Sequence, residues 1–304
     1  MSDDVIVVVG IGADGWRGLT EDARAAILGA DEVIGSARQL ELLPSDAPPR
    51  HAWPSPLDPL LDELAEREHG RVCVLASGDP MLHGIGATLA RRLGPERIAV
   101  LASPSAFSLA CARLGWPAAE VDLVSAVGRP PEVIARVLQP RRRVIVYVTG
   151  ADGAAQAARV LCERGYGPSR FVVLAQLGAE DEYASESTAA SWGARHADPL
   201  HLVAIECAVA PGARVHPLIP GLPDDAFESD GALTKRHVRA ATLAALAPTP
   251  RTLLWDVGAG SGSVAIEGCE PRPRRGRSRS SGARTGRSGS AATPPRSASR
   301  RSRW

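Results

Sequence analysis

Along the first two hundred residues, short β-branched runs alternate with stretches whose apolar positions recur every three or four residues. The first pattern has the period of a strand and the second that of a helix, and their regular alternation implies an α/β fold. Strands are predicted at residues 5–9, 33–34, 71–76 and 97–102, with helices at 20–29, 57–68 and 84–93. A second series places a helix at 105–114, strands at 121–125, 143–149, 170–175 and 200–207, and helices at 131–138 and 154–164. Residues 1–208 therefore divide into two α/β subdomains, about 1–104 and 105–208. Residues 209–231 are rich in Pro, Gly and Asp, which suits a surface linker.

After the linker a further unit begins, covering 232–267. Thr234 is placed to cap a helix over 235–246, and the apolar run 252–257 reads as a buried strand feeding Gly258-Ala259-Gly260-Ser261-Gly262. From Pro271 onward the chain carries 11 Arg and no acidic residue, with no hydrophobic period. Such a segment cannot offset its chain entropy by burial, so 268–304 is expected to be disordered. Its abrupt composition resembles a shifted reading frame; a basic arm contacting nucleic acid and a solvated extension are the other readings. Setting those 11 Arg apart from the chain's 35 basic residues leaves 24 against 34 acidic ones. A formal charge of +1 thus conceals an acidic body of net charge −10.

Hydrophobic residues make up 44% of the chain, yet no apolar run approaches the length of a membrane span. The N-terminus passes from Ser2-Asp3-Asp4 into a strand without the cationic region of a signal peptide, so a cytoplasmic protein with no membrane partner is expected. Five cysteines and seven histidines are dispersed without the spacing of a metal site or redox pair. No metal is expected, and the cysteines read mostly as small core residues.

The candidate chemistry lies in two loops. Val7-Val8-Val9 runs into Gly10-Ile11-Gly12-Ala13-Asp14-Gly15, and the strand at 71–76 ends in Ser77-Gly78-Asp79-Pro80. Both belong at the carboxyl edge of one sheet, where open α/β sheets bind ligands. Glycine lets backbone approach a ligand closely, and Asp79-Pro80 sets a stiff turn with polar groups. Gly10, Gly12 and Gly15 also match a dinucleotide fingerprint, which requires a helix directly after the third glycine. Here Trp16-Arg17-Gly18-Leu19 intervenes and Thr20 is the better N-cap. That weakens a pyrophosphate site; a purely structural glycine turn is the third reading.

Together with Ser103-Pro104-Ser105-Ala106-Phe107 after a third strand, these loops resemble the tetrapyrrole methylases, over roughly residues 5–267. The most specific stretches are 75–84, 103–107 and the linker Gly221-Leu222-Pro223-Asp224-Asp225-Ala226-Phe227, which marks the members with a second domain. The resemblance implies two α/β subdomains with S-adenosylmethionine between them, followed by an incomplete Rossmann-like methyltransferase start. It implies that Gly10, Gly12, Gly15, Ser77, Gly78, Asp79 and Pro80 line the cofactor cleft, with Ser105 and Ala106 near the adenosine. Asp256, Gly258, Gly260 and Gly262 resemble the first cofactor motif of class I methyltransferases.

The implied acceptor is a precorrin-type tetrapyrrole, precorrin-6Y, in corrin-ring (cobalamin) biosynthesis. The N-terminal unit would methylate C5, whereas C15 methylation and decarboxylation belong to the second domain and are expected to be lost with its missing segments. The acceptor's acetates and propionates call for cations, and Arg129 and His83 are the candidates, against a solvated arginine and a core histidine. No catalytic residue is identified, because a sulfonium methyl is already electrophilic. Family analogy implies a homodimer; nucleic acid is not an expected partner. Three departures from the family pattern are Val127 for His, Ala175 for Glu and His237 for an acidic residue. The alternatives are another transferase of this fold and a non-catalytic binding protein whose basic tail contacts nucleic acid.

Overall fold

The computed structural model describes residues 5–66, 70–229, 231–249 and 253–269. The expectations for the basic tail from residue 270 on, for 67–68 at the end of one predicted helix and for the start of the run 252–257 lie outside the described residues.

Strands β1 (Ile6–Ile11), β2 (Glu32–Gly35), β3 (Arg50–Ala52), β4 (Val72–Ser77) and β5 (Ile98–Leu101) form a parallel sheet ordered β3-β2-β4-β1-β5. Parallel strands covered on both faces need unbroken apolar runs, and the two-residue side-chain period divides each run between two cores. Val8, Ile34, Val74 and Ala76 pack with α3 (Asp58–Glu66) and α4 (Ile85–Leu93). Val9, Ile11, Val33 and Leu75 pack on the opposite face with α1 (Glu21–Leu28) and α2 (Ala37–Glu41). The helices that follow the adjacent strands β1 and β4 therefore leave toward opposite faces. A crevice opens between their carboxyl ends for that reason.

The second sheet, β6 (Val121–Ser125), β7 (Arg143–Tyr147), β8 (Arg170–Ala175), β9 (Tyr183–Thr188) and β10 (His201–Glu206), is ordered β6-β7-β10-β8-β9. Its β6 and β7 are parallel and its other pairs antiparallel. Ile145, Val172, Leu174 and Leu202 pack with α5 (Ala106–Leu114), and Val144, Phe171, Val173 and Val203 with α6 (Gly153–Glu163) and α7 (Ala189–Trp192). The fold is α/β with two sheets. The predicted helix at 131–138 is instead a 3-10 helix, Pro131–Val137, and β3, β9, α2 and α7 were not predicted.

Beyond β10 the chain forms α8 (Arg236–Leu246) and α9 (Ser263–Cys269). Thr234 does not cap α8: Lys235 holds the N-cap position without a side-chain bond, and the Thr234 carbonyl accepts from Arg239. Residues 253–257 form no strand, and Leu253, Trp255 and Val257 are 81%, 78% and 90% exposed. An extended run becomes a strand only where a neighbouring backbone completes its ladder, and the described residues supply none here.

The fully buried Arg239 organises this region. Its Nε donates to Glu267 at 2.5 Å, and its other nitrogens reach Asp224 and the carbonyls of Leu222 and Thr234. Glu267 accepts in turn from the amides of Gly221 and Leu222, and the Phe227 ring stacks 4.5 Å from the guanidinium. The linker is thus tied down where it meets α8 and α9. Cys73, Cys111 and Cys207 are buried, and burial pushes the thiols of Cys73 and Cys207 up to about 12 and about 11, so both stay neutral; Cys162 is exposed. Among the described residues no helix is long and apolar enough to cross a membrane.

Candidate functional site

The loops that follow β1, β4 and β5 are locked to one another by backbone. Gly78 donates its amide to the Ile11 carbonyl at 3.0 Å, Ser103 donates its amide to Gly78 at 3.3 Å, and the Ser103 hydroxyl donates to Gly10 at 2.7 Å. A β-carbon on Gly10 would stand 1.9 Å from the Gly78 oxygen and 2.7 Å from the Ser103 nitrogen. Gly10 is therefore bare because two chains cross it. Gly78 has φ +58°, a left-handed conformation that glycine adopts without strain.

Beside this junction lies a cavity of about 440 Å³, within the range of small-molecule sites. The first sheet contributes Gly12, Ser77, Gly78 and Asp79 to its wall, with Ser36, Arg38 and Gln39 from the start of α2. Tyr147, Val148, Leu174, Leu177 and His201 come from the second sheet and its flanks. Ser105 and Ala106 at the start of α5 join the two halves. The site lies at the carboxyl edge of the parallel sheet.

Local chemistry explains how each group is held. The Asp79 carboxylate accepts from the Met81 amide at 2.8 Å, so it shapes the turn. Ser105 caps α5 by accepting from the Ser108 amide, and the Tyr147 hydroxyl accepts from Phe107 at 3.1 Å. Burial raises the Tyr147 pKa and keeps the phenol neutral. Ser36 and Gln39 form a capping box at the start of α2, and the Gln39 amide also donates to the Ser77 hydroxyl at 3.0 Å. His201 is 9% exposed, and burial lowers its pKa. Its Nδ1 lies 2.6 Å from the Asp198 carbonyl, which can only accept, so Nδ1 carries the proton. Nε2 is then a buried acceptor with no hydrogen-bond partner among the described residues.

Of the residues singled out in the sequence, Gly12, Ser77, Gly78, Asp79, His83, Ser105 and Ala106 come together on this wall. His83, at φ +59°, also meets the Tyr147 ring edge-on with centroids 6.1 Å apart. Gly10, Gly15 and Pro80 support the wall from behind. Gly15, at φ +61°, is buried against Leu42, and Pro80 packs under Gly84 and Gly86. Arg129 is not on the wall; it is exposed in a turn closed by its own amide to Ala126. Asp256, Gly258, Gly260 and Gly262 are also away from it, and Asp256 accepts from the Ala265 amide at the start of α9. The sequence reading missed Arg38, Gln39, Tyr147 and His201. A larger groove of about 960 Å³ lies between the second sheet's helices, the linker and α9, and shares no lining residue with the cavity.

Two family models match the chain. The one described as tetrapyrrole (corrin/porphyrin) methylases covers residues 5–191, and a precorrin methyltransferase domain covers 225–287. A precorrin-6Y C(5,15)-methyltransferase (decarboxylating) of a Sinorhizobium species is 44% identical over 263 residues, 86% of this chain. The match spans 64% of that relative's length. A cobalt-precorrin-7 C(5)-methyltransferase of Salmonella typhimurium is 32% identical over 178 residues, which is 59% of this chain and 88% of the relative. Among solved structures, a uroporphyrin-III C-methyltransferase of Thermus thermophilus complexed with S-adenosylhomocysteine matches with a TM-score of 0.50 at 19% identity. It covers 66% of this chain and 96% of that one, a likeness of fold.

Proposed function

The chain belongs to the tetrapyrrole methylase family, and from that premise we propose that its two-sheet unit is an S-adenosylmethionine-dependent C-methyltransferase acting at C5 of precorrin-6Y. The observation that carries this reading is the cavity at the switch point of β1 and β4, closed by the second sheet. Its walls suit the cofactor. Apolar side chains predominate, the loops present backbone at Gly12 and Gly78, and His201 Nε2 offers a buried acceptor to an N–H or O–H donor such as those of adenosine.

When bound, the cofactor supplies a methyl on a sulfonium that is already electrophilic. What the protein adds is geometry. Ile11, Leu75, Leu82, Leu109, Leu174 and Leu177 exclude water from the reacting carbon, and the hydrogen-bonded loops hold their positions without rearrangement. Asp79 shapes its turn and needs no role as acid or base.

The C5 assignment draws on the Salmonella relative, whose name specifies that carbon and whose alignment fits within the length of the two-sheet unit. The C15 methylation and decarboxylation in the Sinorhizobium relative's name are not assigned to 232–267. In that segment Leu253, Trp255 and Val257 are exposed and the glycine loop lies away from the cavity. By family resemblance the proposal includes a cytoplasmic homodimer.

The test is calorimetry of S-adenosylhomocysteine binding to the full chain. One saturable site per chain is expected. A folded sample that releases no heat and shows no binding by a second method overturns the reading.

A further inference from the structure

The cavity holds one side chain that is cationic at every accessible pH, and it is neither of the two that the sequence singled out. Arg38 lies on the wall, half-buried, in the first turn of α2. One of its terminal nitrogens makes a long 3.4 Å hydrogen bond to the Ser77 hydroxyl. Among the described residues it forms no ion pair. Among the described residues, the other charged or titratable groups on the wall are Asp79, whose carboxylate is engaged by Met81, the two histidines His83 and His201, and the Tyr147 phenol, which burial keeps neutral.

A guanidinium presents five donors in a planar fork that matches a carboxylate bidentately. Burial lowers the Arg38 pKa, the expected result of withdrawing a charge from water without giving it a counter-ion. The helix that carries it is fixed at both ends. The Ser36–Gln39 capping box holds the start, Gln39 is tied to Ser77, and Arg50 donates to the carbonyls of Leu40 and Pro44 just beyond. A cation anchored this firmly, facing a ligand cavity with most of its donors uncommitted, is built to receive an anion.

We infer that Arg38 receives a carboxylate of the acceptor and so orients the ring against the cavity that holds the cofactor. The inference rests on the reading above, in which the acceptor bears acetate and propionate groups. The methionine moiety of the cofactor also has a carboxylate, and the test separates the two sources.

Full-length Arg38→Met and Arg38→Lys are compared with the wild type in two assays, S-adenosylhomocysteine calorimetry and steady-state methylation of precorrin-6Y under anaerobic conditions. Loss of a charge-assisted bond is expected to raise the acceptor KM of Arg38→Met about 10- to 100-fold. S-adenosylhomocysteine affinity should stay within about 2-fold, which also reports that the variant is folded. Arg38→Lys should recover part of the loss, because it restores the charge without the fork. An acceptor amidated at its acetate groups should lose affinity for the wild type and not for Arg38→Met, a pattern that a merely structural arginine would not produce.

An unchanged KM overturns the inference. So does a matched fall in S-adenosylhomocysteine affinity, which would give Arg38 to the cofactor's carboxylate. Failure of the wild type to bind S-adenosylhomocysteine would instead overturn the proposed function, so the two failures are distinct.

Discussion

Gly10 shows how much one hydrogen atom in place of a methyl can decide. The β-carbon that Gly10→Ala introduces falls on backbone atoms of Gly78 and Ser103, which cannot rotate away as a side chain could. Relief requires the β4 and β5 loops to separate, and those loops form the cavity wall. The substitution should therefore cost ~2 kcal/mol or more by the scale of overpacked cores. Thermal unfolding should show a fall of about 4 °C or more, and calorimetry at least a 10-fold loss of S-adenosylhomocysteine affinity. An unshifted melting temperature would contradict the crossing of backbones at this point.

The sequence made four of the wall residues legible because tight loops demand glycine, proline and short polar side chains. Gly12, Ser77, Gly78 and Asp79 stand where strand ends demand such residues, whereas Ser105, Ala106 and His83 entered through the family resemblance. It did not separate Gly12, which faces the cavity, from Gly10 and Gly15, which serve packing, since all three share one composition signal. Arg129 was chosen because it follows a strand end. Its turn, however, directs it to solvent, and Arg38 holds the corresponding place on the wall.

At the scale of elements, the Arg239 cluster joins the linker to α8 and α9. Truncating one partner of a buried ion pair leaves the other charge without compensation, so Arg239→Met should destabilise this region by about 3–5 kcal/mol. Hydrogen exchange at the amides of Gly221 and Leu222, which donate to Glu267, is the direct readout, and both should lose protection. S-adenosylhomocysteine affinity should remain within about 2-fold, because the cavity shares no residue with the cluster. Retained protection would show that the linker is held by other contacts.

Elements with a full apolar period were readable, and those without one were not. Most predicted strands and helices of the two sheets fall within two residues of their observed ends. The three residues of β3 are all exposed, and β9 is built from small and polar residues at a sheet edge, so neither has a hydrophobic signature. The five-residue α2 is too short for periodicity, although Ser36 and Gln39 carried a capping-box signal that was available. The run at 252–257 has the composition of a strand, but among the described residues 253–257 have no partner to pair with.

For the whole molecule, the decisive feature is that the second sheet closes the crevice of the first. Tyr147, Val148, Leu174, Leu177 and His201 reach a cavity whose floor is made by β1 and β4, some 70 to 195 residues earlier in the chain. No local pattern encodes that approach, because each sheet satisfies its own hydrophobic period independently. Family membership supplies the chemistry and the closed crevice supplies the place. A methyl held there has a restricted set of ring positions within reach, so regiochemistry is the property that the geometry controls most tightly.

That property is also the sharpest test. The full chain is to be incubated anaerobically with precorrin-6Y and S-adenosylmethionine labelled with ¹³C in its methyl group, and the product examined by carbon NMR. One enriched methyl is expected, attached at C5, with turnover blocked by excess S-adenosylhomocysteine. Enrichment at another ring carbon, or an unlabelled tetrapyrrole from a folded enzyme, would contradict the C5 assignment.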